Sequence, residues 1–189
     1  MPAVLEILVR GSTLLRQELE SPIIAGIIIF SWAALIIGIK VKKASRAKKI
    51  LAIAILSATT AAVIGGLAYT FNPSKSYGVI VEDHTIKAHF YMDDTIAFDL
   101  CNSTIKLTAR ENATSALAIR TNGLADPTTG ILAGYFKTKT GEQAYVLITG
   151  KQVKEALIVS SDGRLLIVGI PGIKDFYKQV LDYMNTTCR

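Results

Sequence analysis

Pro22-Ile-Ile-Ala-Gly-Ile-Ile-Ile-Phe-Ser-Trp-Ala-Ala-Leu-Ile-Ile-Gly-Ile39 is followed by Lys40-Val-Lys-Lys-Ala-Ser-Arg-Ala-Lys-Lys49, and then by an uncharged run from Ile50 to Tyr69. The first run, 18 residues, makes about 27 Å of helix, enough for the hydrocarbon core of a bilayer. The second is slightly longer. Neither holds an Asp, Glu, Lys, Arg or His. The pattern predicts a transmembrane helical hairpin over 22–71, with a basic linker at 40–49. Ser21-Pro22 suits a helix start, because Ser can cap and Pro loses no intrahelical bond at the first position. With no ionisable group inside either span, a pump or ion carrier acting alone is not expected.

The chain divides around this hairpin. Its 189 residues carry a net charge of +6. Residues 1–21 hold two Arg against three Glu, the linker six Lys/Arg and no acid, and residues 72–189 thirteen basic against twelve acidic side chains. The excess charge therefore lies in the linker. Placed there, it orients the protein and touches the lipid bilayer; it is no footprint for nucleic acid. Lys/Arg-rich short loops stay in the cytoplasm. The expected topology has two spans, both termini outside, and an extracytoplasmic domain over 72–189.

Residues 1–21 are read as an amphipathic or flexible N-terminal arm, with Leu8, Leu15 and Leu19 on one helical face and a break at Gly11-Ser12. They lack the order of a cleavable signal. In the second span Ala54, Ala58, Ala62 and Gly66 recur every four residues, a helix-packing seam. It can pack on the first span through Gly26, Ala34 and Gly38, or receive a membrane protein partner or a second copy. Both readings stay open here.

The outer segment reads as strands. Ile86, Ala88, Phe90 and Met92 alternate with Lys87, His89 and Tyr91. Ile96, Phe98 and Leu100 alternate likewise, as do Ile105 with Leu107, and Leu117 with Ile119. Ala144, Val146 and Ile148 oppose Gln143, Tyr145 and Leu147. Thr140-Gly141 and Ser161-Asp162-Gly163 are hairpin turns. After Pro171-Gly172, the residues Ile173, Phe176, Val180 and Met184 take helical spacing. The expected fold is a membrane α-helical hairpin plus a mainly-β domain, capped by a C-terminal helix.

The motifs Arg120-Thr-Asn-Gly123, Gly130-Ile-Leu-Ala-Gly134-Tyr-Phe136, Gly141-Glu-Gln-Ala-Tyr145 and Pro171-Gly-Ile-Lys-Asp-Phe176 resemble those of bacterial and archaeal pleckstrin-homology-like (PH-like) domains on small membrane proteins. The resemblance spans residues 77–184 in layout and 120–180 more closely. It implies a curved antiparallel barrel of about seven strands closed by the C-terminal helix. It implies no catalytic activity, and no phosphoinositide site, because the first hairpin carries Glu82, Asp83 and His84 in place of a basic cluster.

Candidate sites are few. Cys101 and Cys188 fit one disulfide, or remain two partly buried thiols; a bond would close a long loop, worth up to roughly 4–5 kcal/mol. Asn102, Asn112 and Asn185 begin glycosylation sequons. Arg120, Asn122, Gly123 and Phe136 form a possible recognition loop, or a loop whose polar groups satisfy carbonyls. His84 with Glu82, Asp83, Asp93 and Asp94 is a weak cation candidate beside its reading as a solvated acidic turn, and nothing in the sequence brings either histidine to a cysteine. No constellation meets the geometry of catalysis, so no catalytic residue, cofactor or metal is expected. The function these features suggest is a membrane-anchored interaction module, with an accessory subunit of a membrane complex as the alternative and an enzyme third.

Overall fold

The computed structural model describes residues 5–41, 45–91 and 94–188, and of residues 23, 35 and 37–41 the backbone alone. The chain opens with strand β1, Leu5–Arg10, and helix α1, Gly11–Leu19. Helix α2 runs Pro22–Val41 and helix α3 runs Arg46–Thr70. Strands β2 (Ser76–Glu82), β3 (Thr85–His89), β4 (Thr95–Asp99) and β5 (Thr104–Ala109) follow, then the short helix α4 (Arg110–Ser115). The chain continues through β6 (Leu117–Ala125), β7 (Ile131–Thr138), β8 (Gln143–Thr149), β9 (Glu155–Ser161) and β10 (Arg164–Gly169) to helix α5, Ile173–Thr187.

The strands form two sheets, β1-β2-β3-β4 and β5-β9-β10-β8-β7-β6. Mixed helix and sheet with a closing C-terminal helix agrees with expectation. The closed antiparallel barrel does not: no ladder joins the two sheets among the described residues, and β10 pairs parallel with β8. The reason for the break is local. Between β4 and β5 the Asp99 carboxylate accepts from the Cys101 backbone N–H at 2.9 Å, while the Asp99 carbonyl accepts from the Ser103 hydroxyl at 2.5 Å. This turn carries the chain from one sheet to the other, in place of a continued ladder.

The N-terminal arm needs the larger correction. Leu5–Arg10 is a strand, paired antiparallel with β2 from Leu5↔Val81 to Arg10↔Ser76. Leu5, Ile7 and Val9 face the core and Glu6, Leu8 and Arg10 face out, a period of two. The helical spacing of Leu8, Leu15 and Leu19 joined a strand residue to helix residues. Only α1 is helical, and its Leu14 is 0% exposed. So the apolar helices α2 and α3 are an insertion between two neighbouring strands of one sheet. The joints are tied together: Gly11 N–H donates to the Lys75 carbonyl at 2.8 Å, and Asn72 N–H donates to the Tyr77 hydroxyl at 2.8 Å. Phe71, also fully buried, meets the Tyr77 ring edge-on.

One core lies between the sheets. It takes Val79, Val81, Ile86 and Phe98 from the first sheet, Leu147, Leu157 and Leu166 from the second, and Ile173, Phe176 and Val180 from α5. The helix packs against β9 and β1, one strand of each sheet, as the spacing of its apolar residues requires. The outer face of the six-stranded sheet carries a second cluster: Ala113, Phe136, Ala144, Val146, Ile148, Ala156 and Ile167. Strand β8 is therefore buried on both faces, which explains its near-continuous apolar sequence. The turn at Asp162-Gly163 forms as expected, with φ of 51° and 71°.

Among the described residues one helix, α3, is long and apolar enough to cross a membrane, and Ile24–Ala34 within α2 is a shorter apolar stretch. No residue of α3 is buried. The basic linker is shorter than the sequence suggested. Lys40 ends within α2 and Arg46, Lys48 and Lys49 begin α3, while Lys42 and Lys43 lie outside the described residues.

Candidate interaction face

Strand β6 is the outer edge of the six-stranded sheet, held on one side by β7. Its register slips twice, between Leu117 and Ile119 and between Arg120 and Asn122. Each slip is a bulge that re-aims the side chains after it. The alternation expected for Leu117 and Ile119 fails here: Leu117 is half-buried and Ile119 is 63% exposed. Five consecutive residues, Ala118 to Asn122, are exposed.

The expected recognition loop is thus a strand. Arg120 lies opposite Phe136, Asn122 opposite Tyr135, and Gly123 opposite Gly134. Arg120 and Asn122 are at the surface. Phe136 is 6% exposed and belongs to the second core cluster, so it does not join them. Gly123 and Gly134 act through the backbone. Their φ values are 124° and 133°, and a Cβ on either would collide with the main chain of the facing strand. At this pair of glycines the two strands approach too closely for a side chain.

Behind the β6 edge stands an aromatic cluster that sequence reasoning missed. Tyr135 meets Phe90, Tyr145 and Tyr91 edge-on, with centroids 5.4, 5.6 and 6.4 Å away, and Phe98 meets Tyr145 at 6.4 Å. The Arg164 guanidinium sits 5.1 Å from the Phe98 ring centre. The Tyr91 hydroxyl donates to Asn122 Oδ1 at 3.4 Å, tying the cluster to the edge strand. The Tyr135 hydroxyl donates to the Asp94 carboxylate. Burial and that carboxylate push the Tyr135 phenol up to about 12. Phe90, Tyr91, Phe98 and Tyr145 are buried members of the core between the sheets, and Tyr135 packs against them.

The cysteines are bonded. Cys101 and Cys188 form a disulfide with Cα atoms 5.2 Å apart, which fixes the end of α5 to the β4–β5 turn. His84 lies 3.8 Å from the Cys101 sulfur, a juxtaposition that no local pattern foretells. It sits in the β2–β3 turn at φ 62°, beside Asp83 at 48°. The His84 ring and the two sulfurs all lie within 4.8 Å, but bonded sulfurs are not thiolate ligands. The acidic turn is not assembled as a cation site. Glu82 pairs with Lys87 at 3.1 Å, Asp94 holds Tyr135, and Asp93 lies outside the described residues. His89 bonds Thr95 through Nδ1 at 2.8 Å.

Asn102, Asn112 and Asn185 are all exposed. The Asn102 amide donates to Asp99 at 2.6 Å. Hydrogen bonds to Asn102 and to the Cys101 N–H hold the Asp99 carboxyl below its usual range. In the hairpin, Ala54, Ala58, Ala62 and Gly66 are exposed, and Gly26 and Gly66 touch nothing that a Cβ would meet. The side of α3 turned toward α2 carries Leu56 and Thr59, with Thr60 and Val63, facing Ile27, Ile28 and Ser31. Among the described residues, the small-residue seam does not pack on the first helix. Side-chain bulk explains this: larger residues fill the contact and leave the small ones outside.

No family model, curated protein or solved structure matches this chain.

Proposed function

We propose that this chain is a membrane-anchored interaction module whose sheet domain stands on the outer face of a membrane and binds a protein partner along strand β6. The observation that carries the reading is the free edge of β6 with five successive exposed residues, Ile119 among them. A bare edge offers unpaired backbone groups to an extended segment, and alternate side chains select it. The two bulges work against indiscriminate pairing of copies along the whole edge, which favours a partner of matched shape.

Several features support the anchoring. The pairing of β1 with β2 requires α2 and α3 to leave and return on one side, so if α3 crosses, α2 crosses too. The linker lysines favour the cytoplasm. A disulfide and three exposed sequons suit the outside. The PH-like reading stays within this proposal, supported by the strands-then-helix order and the Gly123–Gly134 contact. The test is capture of partners from native membranes with Ile119→Asp and Thr121→Pro. Loss of the captured protein with unchanged membrane insertion supports the reading; undiminished capture by both variants refutes it.

The second reading, an accessory subunit docked through its helices, is favoured by the exposed Ala54/Ala58/Ala62/Gly66 seam on α3. Ala58→Leu with Ala62→Leu separates the two. A partner lost only on those changes belongs to the seam, and one lost only on the β6 changes belongs to the edge.

A further inference from the structure

The junction between the hairpin and the sheet domain holds a buried pair of carboxylates. Glu18, in the last turn of α1, is 0% exposed, and Asp126, just after β6, is 8% exposed. They come from segments more than 100 residues apart in sequence and both engage Thr129. Thr129 Oγ1 donates to Glu18 Oε1 at 2.9 Å. Ser21 Oγ, itself 1% exposed, donates to Asp126 Oδ2 at 2.9 Å. Thr128 N–H donates to Asp126 Oδ1 at 2.7 Å. Thr129 also stands within hydrogen-bond reach of Asp126, so one hydroxyl faces both carboxyl groups.

That arrangement is one positive group short. The Thr129 hydroxyl has a single proton and cannot serve two acceptors. Glu18 Oε2 is buried with no hydrogen-bond partner. None of the ion pairs among the described residues involves Glu18 or Asp126. Arg110 is nearby in the fold, but its guanidinium donates to the Gly130 and Gly150 carbonyls at 3.0 and 3.2 Å. Burial pushes the Glu18 carboxyl up, the Thr129 bond only partly opposes this, and the Asp126 charge adds to it. For Asp126, burial acts upward but is outweighed by the Thr128 N–H and the Ser21 and Thr129 hydroxyls, leaving its carboxyl below the usual range. Glu18 and Asp126 thus share the single Thr129 hydroxyl, and the buried Glu18 Oε2 is left with no hydrogen-bond partner.

We propose that Glu18 and Asp126, with the Ser21 and Thr129 hydroxyls, form a calcium site that clips the start of α2 to the turn between β6 and β7. The donors are all oxygens, the chemistry of a hard cation, and two carboxylates neutralise its charge. Calcium accepts mixed carboxylate and hydroxyl ligands at irregular angles, whereas magnesium demands a near-ideal octahedron. The consequence is mechanical. Ser21 immediately precedes Pro22, and its carbonyl accepts the Ala25 N–H at 2.9 Å at the start of that helix. A bound ion would fix how the domain is carried on its hairpin. The inference does not depend on what β6 binds, nor on which side of a membrane the domain stands.

The test is calorimetric titration of the full chain in neutral detergent micelles with CaCl2, and separately with MgCl2. One calcium per chain is expected, with half-saturation at roughly 0.1–1 mM, typical of extracellular modules, and at least tenfold weaker magnesium binding. Glu18→Gln should abolish it, while Asp175→Asn, on the exposed face of α5, should leave it unchanged. Calcium at ten times its dissociation constant should raise the melting temperature of the wild type by roughly 3–5 °C, and that of Glu18→Gln not at all. Should Glu18→Gln misfold, Thr129→Val removes one neutral ligand and should weaken binding about tenfold. Absence of saturable calcium binding by the wild type, equal affinity for magnesium, or unchanged binding in a folded Glu18→Gln or Thr129→Val variant each overturns the assignment.

Discussion

Removing the segment before the hairpin should unfold the domain after it. The segment supplies the β1 edge of the four-stranded sheet and the plug residue Leu14. Complete burial of a leucine is worth about 1.5–3 kcal/mol. Leu5, Ile7 and Val9 are half-buried against the same core and add about 1 kcal/mol each on the same scale. The loss approaches 5 kcal/mol before the exposed β2 edge is counted, against a domain stability of about 5–15 kcal/mol. Three proteins should be compared by circular dichroism in urea: the full chain in micelles, residues 72–189 alone, and residues 5–20 joined to 71–189 by a flexible linker in place of the hairpin. The joined protein should unfold cooperatively, and the 72–189 fragment should show a much lower midpoint or no transition. Within the full chain, Leu14→Ala should cost about 2–5 kcal/mol. Equal midpoints for the fragment and the joined protein would refute the view that β1 and α1 belong to the domain.

Other outcomes follow from the same structure. Cys101→Ser with Cys188→Ser opens a loop with a sequence separation of 87, so it should cost up to about 4–5 kcal/mol by chain entropy, read in urea melts with and without reductant. Gly123→Ala or Gly134→Ala forces a Cβ against the facing main chain at positive φ, and should cost about 1–3 kcal/mol or more by thermal melting. Tyr135 is an acid whose folded value, about 12, lies above its ordinary one near 10. Its neutral form is favoured by folding, so that contribution is intact below about pH 10 and is lost as pH rises toward 12. Absorbance titration at 295 nm should show a late-ionising component that Tyr135→Phe removes and Asp94→Asn brings to lower pH. Glu18, also raised, contributes in the same sense: without metal, stability should fall as pH rises above the ordinary carboxyl range. Glu18→Gln should flatten that slope in pH-dependent melts.

Sequence by itself determined the local features. Charge-free apolar runs of nearly twenty residues specify long helices, and α2 and α3 form over them, with no residue of α3 buried. Period-two alternation located β3 and β8, Asp162-Gly163 turned a hairpin, and the spacing of Ile173, Phe176 and Val180 placed the buried face of α5. These are short-range effects, decided by neighbours within a few residues. Only the tertiary structure decided the rest. It put Leu5–Arg10 into the sheet, because the partner of that strand lies beyond the hairpin at Ser76–Glu82. It turned the expected recognition loop into an edge strand paired with β7, and the register slip before Ile119, which no periodicity encodes, leaves that residue exposed. It brought His84 to the disulfide, gathered the tyrosines behind β6, and faced Glu18 with Asp126. Contacts of this kind join residues as far apart as Glu18 and Thr129, 111 positions, and a chain carries no local sign of them until burial excludes the water that would otherwise solvate both.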